Sequence, residues 1–208
     1  MKRFALHNST PRKIFVDGPV GVLEAVVNDP EEKRRGIALI AHPHPQFCGT
    51  LENKVVHTLA KAFFELGYVA LRPNFRGAGK SQGSFDEGKG ETQDMLAVAD
   101  YAKGQFGDLP LVLAGFSFGA FVQSRAIKQL PAEKLVLVAP AVERFDVGGV
   151  PADTLIIHGD RDDVVPLAAV LAWAQPQKLR VMVVPGASHF FHGRLPQLKQ
   201  IVFDSCRY

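Results

Sequence analysis

Residues 115–119 read Gly-Phe-Ser-Phe-Gly, and they sit between an apolar run at 111–114 and a helix-forming stretch, Ala120-Phe121-Val122-Gln123-Ser124. In a strand–turn–helix setting, Gly-x-Ser-x-Gly makes a turn so sharp that side chains at Gly115 or Gly119 would strike the flanking backbone. The hydroxyl of Ser117 is then held at the tip, in front of the positive end of the next helix's dipole. A serine hydroxyl is a poor nucleophile until a base takes its proton, so the motif has chemical meaning only with a histidine in reach. The apolar run 180–184 leads into Pro185-Gly186-Ala187-Ser188-His189-Phe190-Phe191-His192, which offers His189 and His192. Such an imidazole needs a buried carboxylate to fix its tautomer and to stabilise it as a cation. After the run 154–157, the segment His158-Gly159-Asp160-Arg161-Asp162-Asp163 offers three. These residue types together serve nucleophilic acyl transfer.

Groups so far apart in sequence meet only if the fold gathers their loops. Beyond residue 41, short apolar runs at 68–72, 111–114, 135–138, 154–157 and 180–184 alternate with amphipathic stretches at 53–66, 91–103, 120–129, 167–175 and 195–203. Strands apolar on both faces with helices between them predict a parallel sheet covered on both sides. Every parallel strand then ends on one edge, where the loops that follow converge into a crevice. Ahead of this block, the turn-punctuated pattern of 13–16, Asp17-Gly18-Pro19, 20–27, a charged turn and 36–41 predicts two or three opening strands, the first pair a hairpin. No repeat or low-complexity linker interrupts the chain, so residues 1–208 are read as one domain.

Composition narrows the function classes. A chain of 208 residues with 47% hydrophobic and 22% charged residues can bury a core of its own. The formal net charge of +3 is small and the bases are scattered in pairs such as Lys2-Arg3 and Arg34-Arg35, which is no nucleic-acid footprint. Cys48 and Cys206 are distant in sequence and lack metal-type spacing, so free thiols and a cytoplasmic location are expected. The residues after Met1-Lys2-Arg3 are too short and polar an opening for a signal peptide, and no apolar run is long enough for a bilayer, so Asn8-Ser9-Thr10 is read as a chance glycosylation match. The expected partner is a small molecule, not a nucleic acid or a membrane.

From 36 to 203 the chain resembles the α/β-hydrolase superfamily and is similar to its small lidless bacterial serine hydrolases. The likeness rests on His42-Pro43-His44-Pro45, on Arg76-Gly77-Ala78-Gly79-Lys80-Ser81, on the Ser117 turn, and on the His158-Gly159 and His189 loops. It implies an α/β-hydrolase fold with a mostly parallel eight-stranded sheet, helices on both faces, no lid domain, and ester cleavage or a related acyl transfer without a cofactor. The chain order Ser117, Asp, His189 is the order of this architecture. The family spacing His-Gly-x-x-Asp-x-x-Val-Pro falls on Asp162, with Asp160 second; Asp163 is expected to cap a helix starting near Pro166. His189 is preferred to His192 because the family histidine directly follows the small-residue turn. The oxyanion donors implied are the backbone N–H groups of Phe118 and His44, with Gln46 as the fallback. Pro43 stands where the family usually has glycine and has no N–H to give.

Other motifs compete with this site for a chemical role. Gly79-Lys80-Ser81 ends like a phosphate-binding loop, but Asn74 occupies the position where that loop requires glycine. His42 and His44 flank a proline and are expected to serve the backbone, with no metal site, and Cys48 is expected to be passive. Phe47, Phe116, Phe190 and Phe191 flank the candidate loops and are expected to wall a pocket for an acyl or alcohol group, with core packing as the competing role. The 14 residues from 140 to 153 are too few for a helical lid. An open site for short or flexible esters follows, while peptide or thioester cleavage, acyl transfer and a non-catalytic binding module remain alternatives.

Overall fold

A computed structural model describes residues 10–207, so Lys2-Arg3 and Asn8-Ser9 lie outside the described residues. Alternating and fully apolar runs become eight strands: β1 (Arg12–Gly18), β2 (Gly21–Asn28), β3 (Gly36–Ala41), β4 (Tyr68–Pro73), β5 (Leu111–Phe116), β6 (Ala132–Val138), β7 (Leu155–Gly159) and β8 (Val181–Val184). They form one sheet in the order β1-β2-β4-β3-β5-β6-β7-β8. β2 is antiparallel to both of its neighbours, and every other pairing is parallel. This is the expected α/β-hydrolase architecture.

The period of two along each strand sorts the core into two layers. Ala38, Ile40, Val112, Ala114, Val136 and Val138 face α1 (Lys54–Glu65) and α5 (Leu195–Ser205). Their neighbours Ile37, Leu39, Leu113, Leu135 and Leu137 face α2 (Lys89–Phe106) and α3 (Phe118–Ala126). A smaller cluster of Ala141, Ile156, Val165 and Val170 seats α4 (Leu167–Ala174). Each fully buried Leu, Ile or Phe contributes roughly 1.5–3 kcal/mol, so β3, buried at every residue, is a rigid platform for the loop that leaves it.

Helix ends differ from the expected ones for local reasons. α2 starts at Lys89, ahead of residue 91, because the buried Glu91 carboxylate accepts the N–H of Gly88 at 2.7 Å and of Asp86 at 2.9 Å. Gly88 takes φ 86°, which glycine tolerates without a Cβ penalty. α3 starts at Phe118, directly after the serine, and stops at Ala126 instead of 129. A 3-10 turn at Pro45–Phe47 was not anticipated. No helix forms between 140 and 153, so no lid is built there. Among the described residues no helix is long and apolar enough to cross a membrane.

Candidate active site

The turn from β5 into α3 is as crowded as its glycines suggest. A Cβ on Gly115 would lie 2.3 Å from the Gly119 carbonyl oxygen, and one on Gly119 would lie 2.3 Å from that of Ala41. Between them Ser117 adopts φ 56° and ψ −114°, a conformation that costs an L-residue on the order of 1–3 kcal/mol. It is held there because its N–H donates to Val138 O at 2.9 Å and its carbonyl accepts from Ala120 N–H at 3.0 Å.

The loops after β7 and β8 bring the partners. His189 Nδ1 lies 2.8 Å from Asp162 Oδ2, which can only accept from it, and Nε2 lies 3.1 Å from the Ser117 hydroxyl, placed to accept its proton. All three side chains are nearly enclosed. Asp162 Oδ1 also accepts the N–H groups of Val164 at 2.9 Å and Val165 at 2.8 Å. Burial alone would raise the Asp162 carboxyl, but the bond from His189 and the two amides outweigh it and hold the group below its usual range. Asp162 is therefore an anion at neutral pH, facing an imidazole that can take a proton.

The rivals have other surroundings. Asp160 accepts Gly186 N–H at 2.6 Å and braces the turn ahead of His189. Asp163 is exposed and caps nothing: α4 has Pro166 at its N-cap with no side-chain cap, and the nearby amides are taken by Asp162. His192 is exposed, 6.0 Å ring to ring from Phe190. His158 is buried; its Nε2 donates to Val165 O at 2.9 Å and lies 3.4 Å from Asp162 Oδ2. Burial pushes the His158 imidazole down, against the pull of Val165 O and Asp162.

The loop after β3 supplies the fourth side. His44 and Phe118 line one cavity with Ser117, and neither backbone N–H has a protein acceptor among the described residues. Gln46 is not equivalent, since its N–H already donates to His44 Nδ1 at 3.2 Å. His42 fixes the loop from behind: Nδ1 donates to Pro43 O at 2.6 Å and Nε2 accepts Phe75 N–H at 3.0 Å. Complete burial lowers its pKa to about 4, so it is neutral. The Arg76–Ser81 loop is likewise occupied by the scaffold, with Arg76 paired to the buried Asp94 at 2.7 Å and Ser81 Oγ donating to Asn74 O at 2.7 Å.

The cavity in front of Ser117 has a volume of about 400 Å³. Phe47 and Phe190, 71% and 42% exposed, stand on its wall. Phe116 and Phe191 do not, which corrects the expectation from sequence. Phe116 is fully buried beneath the imidazole, 4.9 Å from the His189 ring, and Phe191 is turned into the core under α5.

Solved structures share this fold over nearly the full length of the chain. A lidless α/β serine hydrolase from Xanthomonas campestris is 38% identical and superimposes with a TM-score of 0.89, over 98% of this chain and 96% of that one. The chain belongs to the α/β-hydrolase superfamily. An α/β serine hydrolase homologue from Coxiella burnetii is similarly close, at 39% identity and TM-score 0.87 over 97% and 98% of the two chains. The family described as serine aminopeptidase, S33, matches residues 49–146. Among curated proteins, lysophosphatidylserine lipase ABHD12 of Xenopus tropicalis is 34% identical over 70% of this α/β hydrolase, which spans 52% of that protein.

Sequence reasoning missed part of this hydrolase's cavity. Arg144 and Phe145 line it from the 140–153 segment, and Val164 and Val165 from the loop carrying Asp162. The first pair carries no periodic signal, and the second is visible in sequence only as the Val-Val-Pro end of the Asp162 motif.

Proposed function

We propose that the protein is a serine carboxylesterase acting on short or flexible acyl groups. The observation that carries this is the relay Ser117–His189–Asp162, with contacts of 3.1 and 2.8 Å between three nearly buried side chains. Ser117 Oγ attacks the ester carbonyl while His189 Nε2 takes its proton, and Asp162 stabilises the imidazolium. The amides of Phe118 and His44 bind the oxyanion of the tetrahedral intermediate, each contributing about 3 kcal/mol of transition-state stabilisation. The imidazolium gives its proton to the departing alcohol. Water, activated by the same base, then cleaves the acyl-serine and releases the acid.

The family description raises an aminopeptidase as a second reading. Such an enzyme must hold a free ammonium group, yet the charged side chain that lines the cavity beside the histidines is Arg144, a cation. That supports an ester over an N-terminal peptide. The lidless relative and the 400 Å³ cavity support short chains over long ones.

A fluorophosphonate probe combined with a panel of p-nitrophenyl esters and amino-acid p-nitroanilides tests the proposal. Wild type is expected to label covalently and to turn over the short esters fastest, whereas Ser117→Ala does neither. Faster turnover of anilides would move the assignment to peptides, and an unlabelled wild type inert to the whole panel would leave a binding module.

A further inference from the structure

The wall of the cavity carries a cation that no carboxylate among the described residues pairs with. Arg144 is exposed on the 140–153 segment, where its N–H donates to Ala141 O at 3.2 Å. Its guanidinium makes no ion pair, hydrogen bond or ring contact among the described residues, and it is the one side chain of fixed charge on an otherwise mostly apolar lining. A second groove of about 700 Å³ lies against this wall and shares His44, Arg144 and Phe145 with the cavity. Its further charges are Arg125, Lys128, Glu87 and Asp146, none of them in an ion pair among the described residues. The two carboxylates line the groove but not the cavity, so of the five charged side chains Arg144 alone faces both spaces. Arg125 is anchored with its guanidinium 5.5 Å over the Phe121 ring. The proximity of Arg144 to the oxyanion loop is visible at His44, whose imidazole is held below its usual range first by burial and then by this charge.

An unpaired guanidinium is a planar fork of donors that fits a carboxylate or phosphate through two parallel bonds. Apolar walls strengthen that attraction relative to water, and a positively charged ligand would be repelled at the same place. We propose that Arg144 is a specificity residue selecting esters that carry a carboxylate or phosphate a few bonds from the scissile group, with Arg125 and Lys128 extending the basic rim into the neighbouring groove. The inference rests on the esterase reading above and narrows its substrate class.

Two matched substrate pairs test it by kcat/KM. On the acyl side, p-nitrophenyl valerate is compared with mono-p-nitrophenyl glutarate, of equal chain length with a terminal carboxylate. On the alcohol side, phenyl butyrate is compared with para-(butyryloxy)phenyl phosphate. Each charged-to-neutral ratio is measured for wild type, Arg144→Ala, Arg144→Lys and Arg144→Glu, so that intrinsic ester reactivity cancels between proteins. In at least one pair the ratio is expected to fall on the order of tenfold in Arg144→Ala, the size of one charge-assisted contact, further in Arg144→Glu and less in Arg144→Lys. Raising NaCl from about 50 to about 500 mM should lower the wild-type ratio by screening. The responding pair identifies which anion and which limb is read. Equal ratios across all four proteins in both pairs overturn the inference while leaving the esterase reading intact, because fluorophosphonate labelling reports Ser117 separately. Absence of both labelling and turnover removes the two together. Unchanged Tm values verify that these exposed-site variants fold.

Discussion

Asp162 and Asp160 are two residues apart and have unlike tasks, set by what each faces. Asp162 presents one oxygen to His189 and the other to the amides of Val164 and Val165. An asparagine there can still accept from those amides, but its NH2 would face His189 Nδ1. The ring would then carry its proton on Nε2, the wrong tautomer for accepting from Ser117. Asp162→Asn is therefore expected to lower kcat roughly 10³- to 10⁴-fold with the fold retained, measured on a short p-nitrophenyl ester. Among the described residues, Asp160 holds the Gly186 N–H alone. Asp160→Ala should cost about 1 kcal/mol of stability in urea unfolding and less than about tenfold in kcat. The opposite ranking of the two variants would exchange their roles.

At the level of elements, the close approach of α3 to the end of β3 joins the nucleophile to its oxyanion loop. A methyl group on Gly119 would meet the carbonyl oxygens of Ala41 at 2.3 Å and His42 at 2.6 Å, and backbone atoms cannot swing aside. Gly119→Ala should thus cost about 1–3 kcal/mol of stability and separate Ser117 from the His44 loop, with activity falling out of proportion to the lost folded fraction. Gly104, inside α2, has nothing within 4 Å of its would-be Cβ. Gly104→Ala is expected to stabilise by about 0.5–1 kcal/mol through helix propensity, so urea midpoints should move in opposite directions for the two variants. Strands and helices such as these were legible because a sheet covered on both faces imposes apolar runs, and the motif glycines announced the crowding at Gly115 and Gly119. Side-chain direction inside a turn was not legible. Phe190 and Phe191 are adjacent, yet Phe191 takes φ 53° and points into the core while Phe190 faces the cavity. Phe116 was likewise misplaced, because nearness in sequence to Ser117 does not distinguish lying under the imidazole from lying beside the substrate. Arg144 and Phe145 sit in a segment with no period to read, and the capping role expected of Asp163 was lost to its neighbour's carboxylate.

For the whole molecule, the buried ionisable groups around the sheet edge make stability depend on pH in two stages. His42 ties the loop after β3 to the loop after β4, and burial lowers its pKa to about 4, the Pro43 carbonyl opposing only in part. In the unfolded chain a histidine titrates near ~6.5, so between these values the unfolded state binds a proton that the folded state excludes. Stability is then full above the unfolded value and falls as pH drops toward 4, by roughly 3 kcal/mol for His42 alone. His158 is shifted in the same direction, burial again being the first cause, and steepens the fall. Asp162, held below its usual range, contributes stability that is present above the ordinary carboxylate value and lost as pH falls through its folded one, so its loss follows at lower pH. Urea midpoints should be level between about pH 7 and 8 and decline from about 6.5 to 4. His42→Gln keeps a donor and an acceptor without a titrating group, and should give a shallower decline. The slope should survive added salt, because it arises from burial and not from screened surface charge. A midpoint that stays constant down to pH 4 would show that His42 charges freely in place, and the loop carrying the His44 amide would then be far less rigidly held than its hydrogen bonds imply.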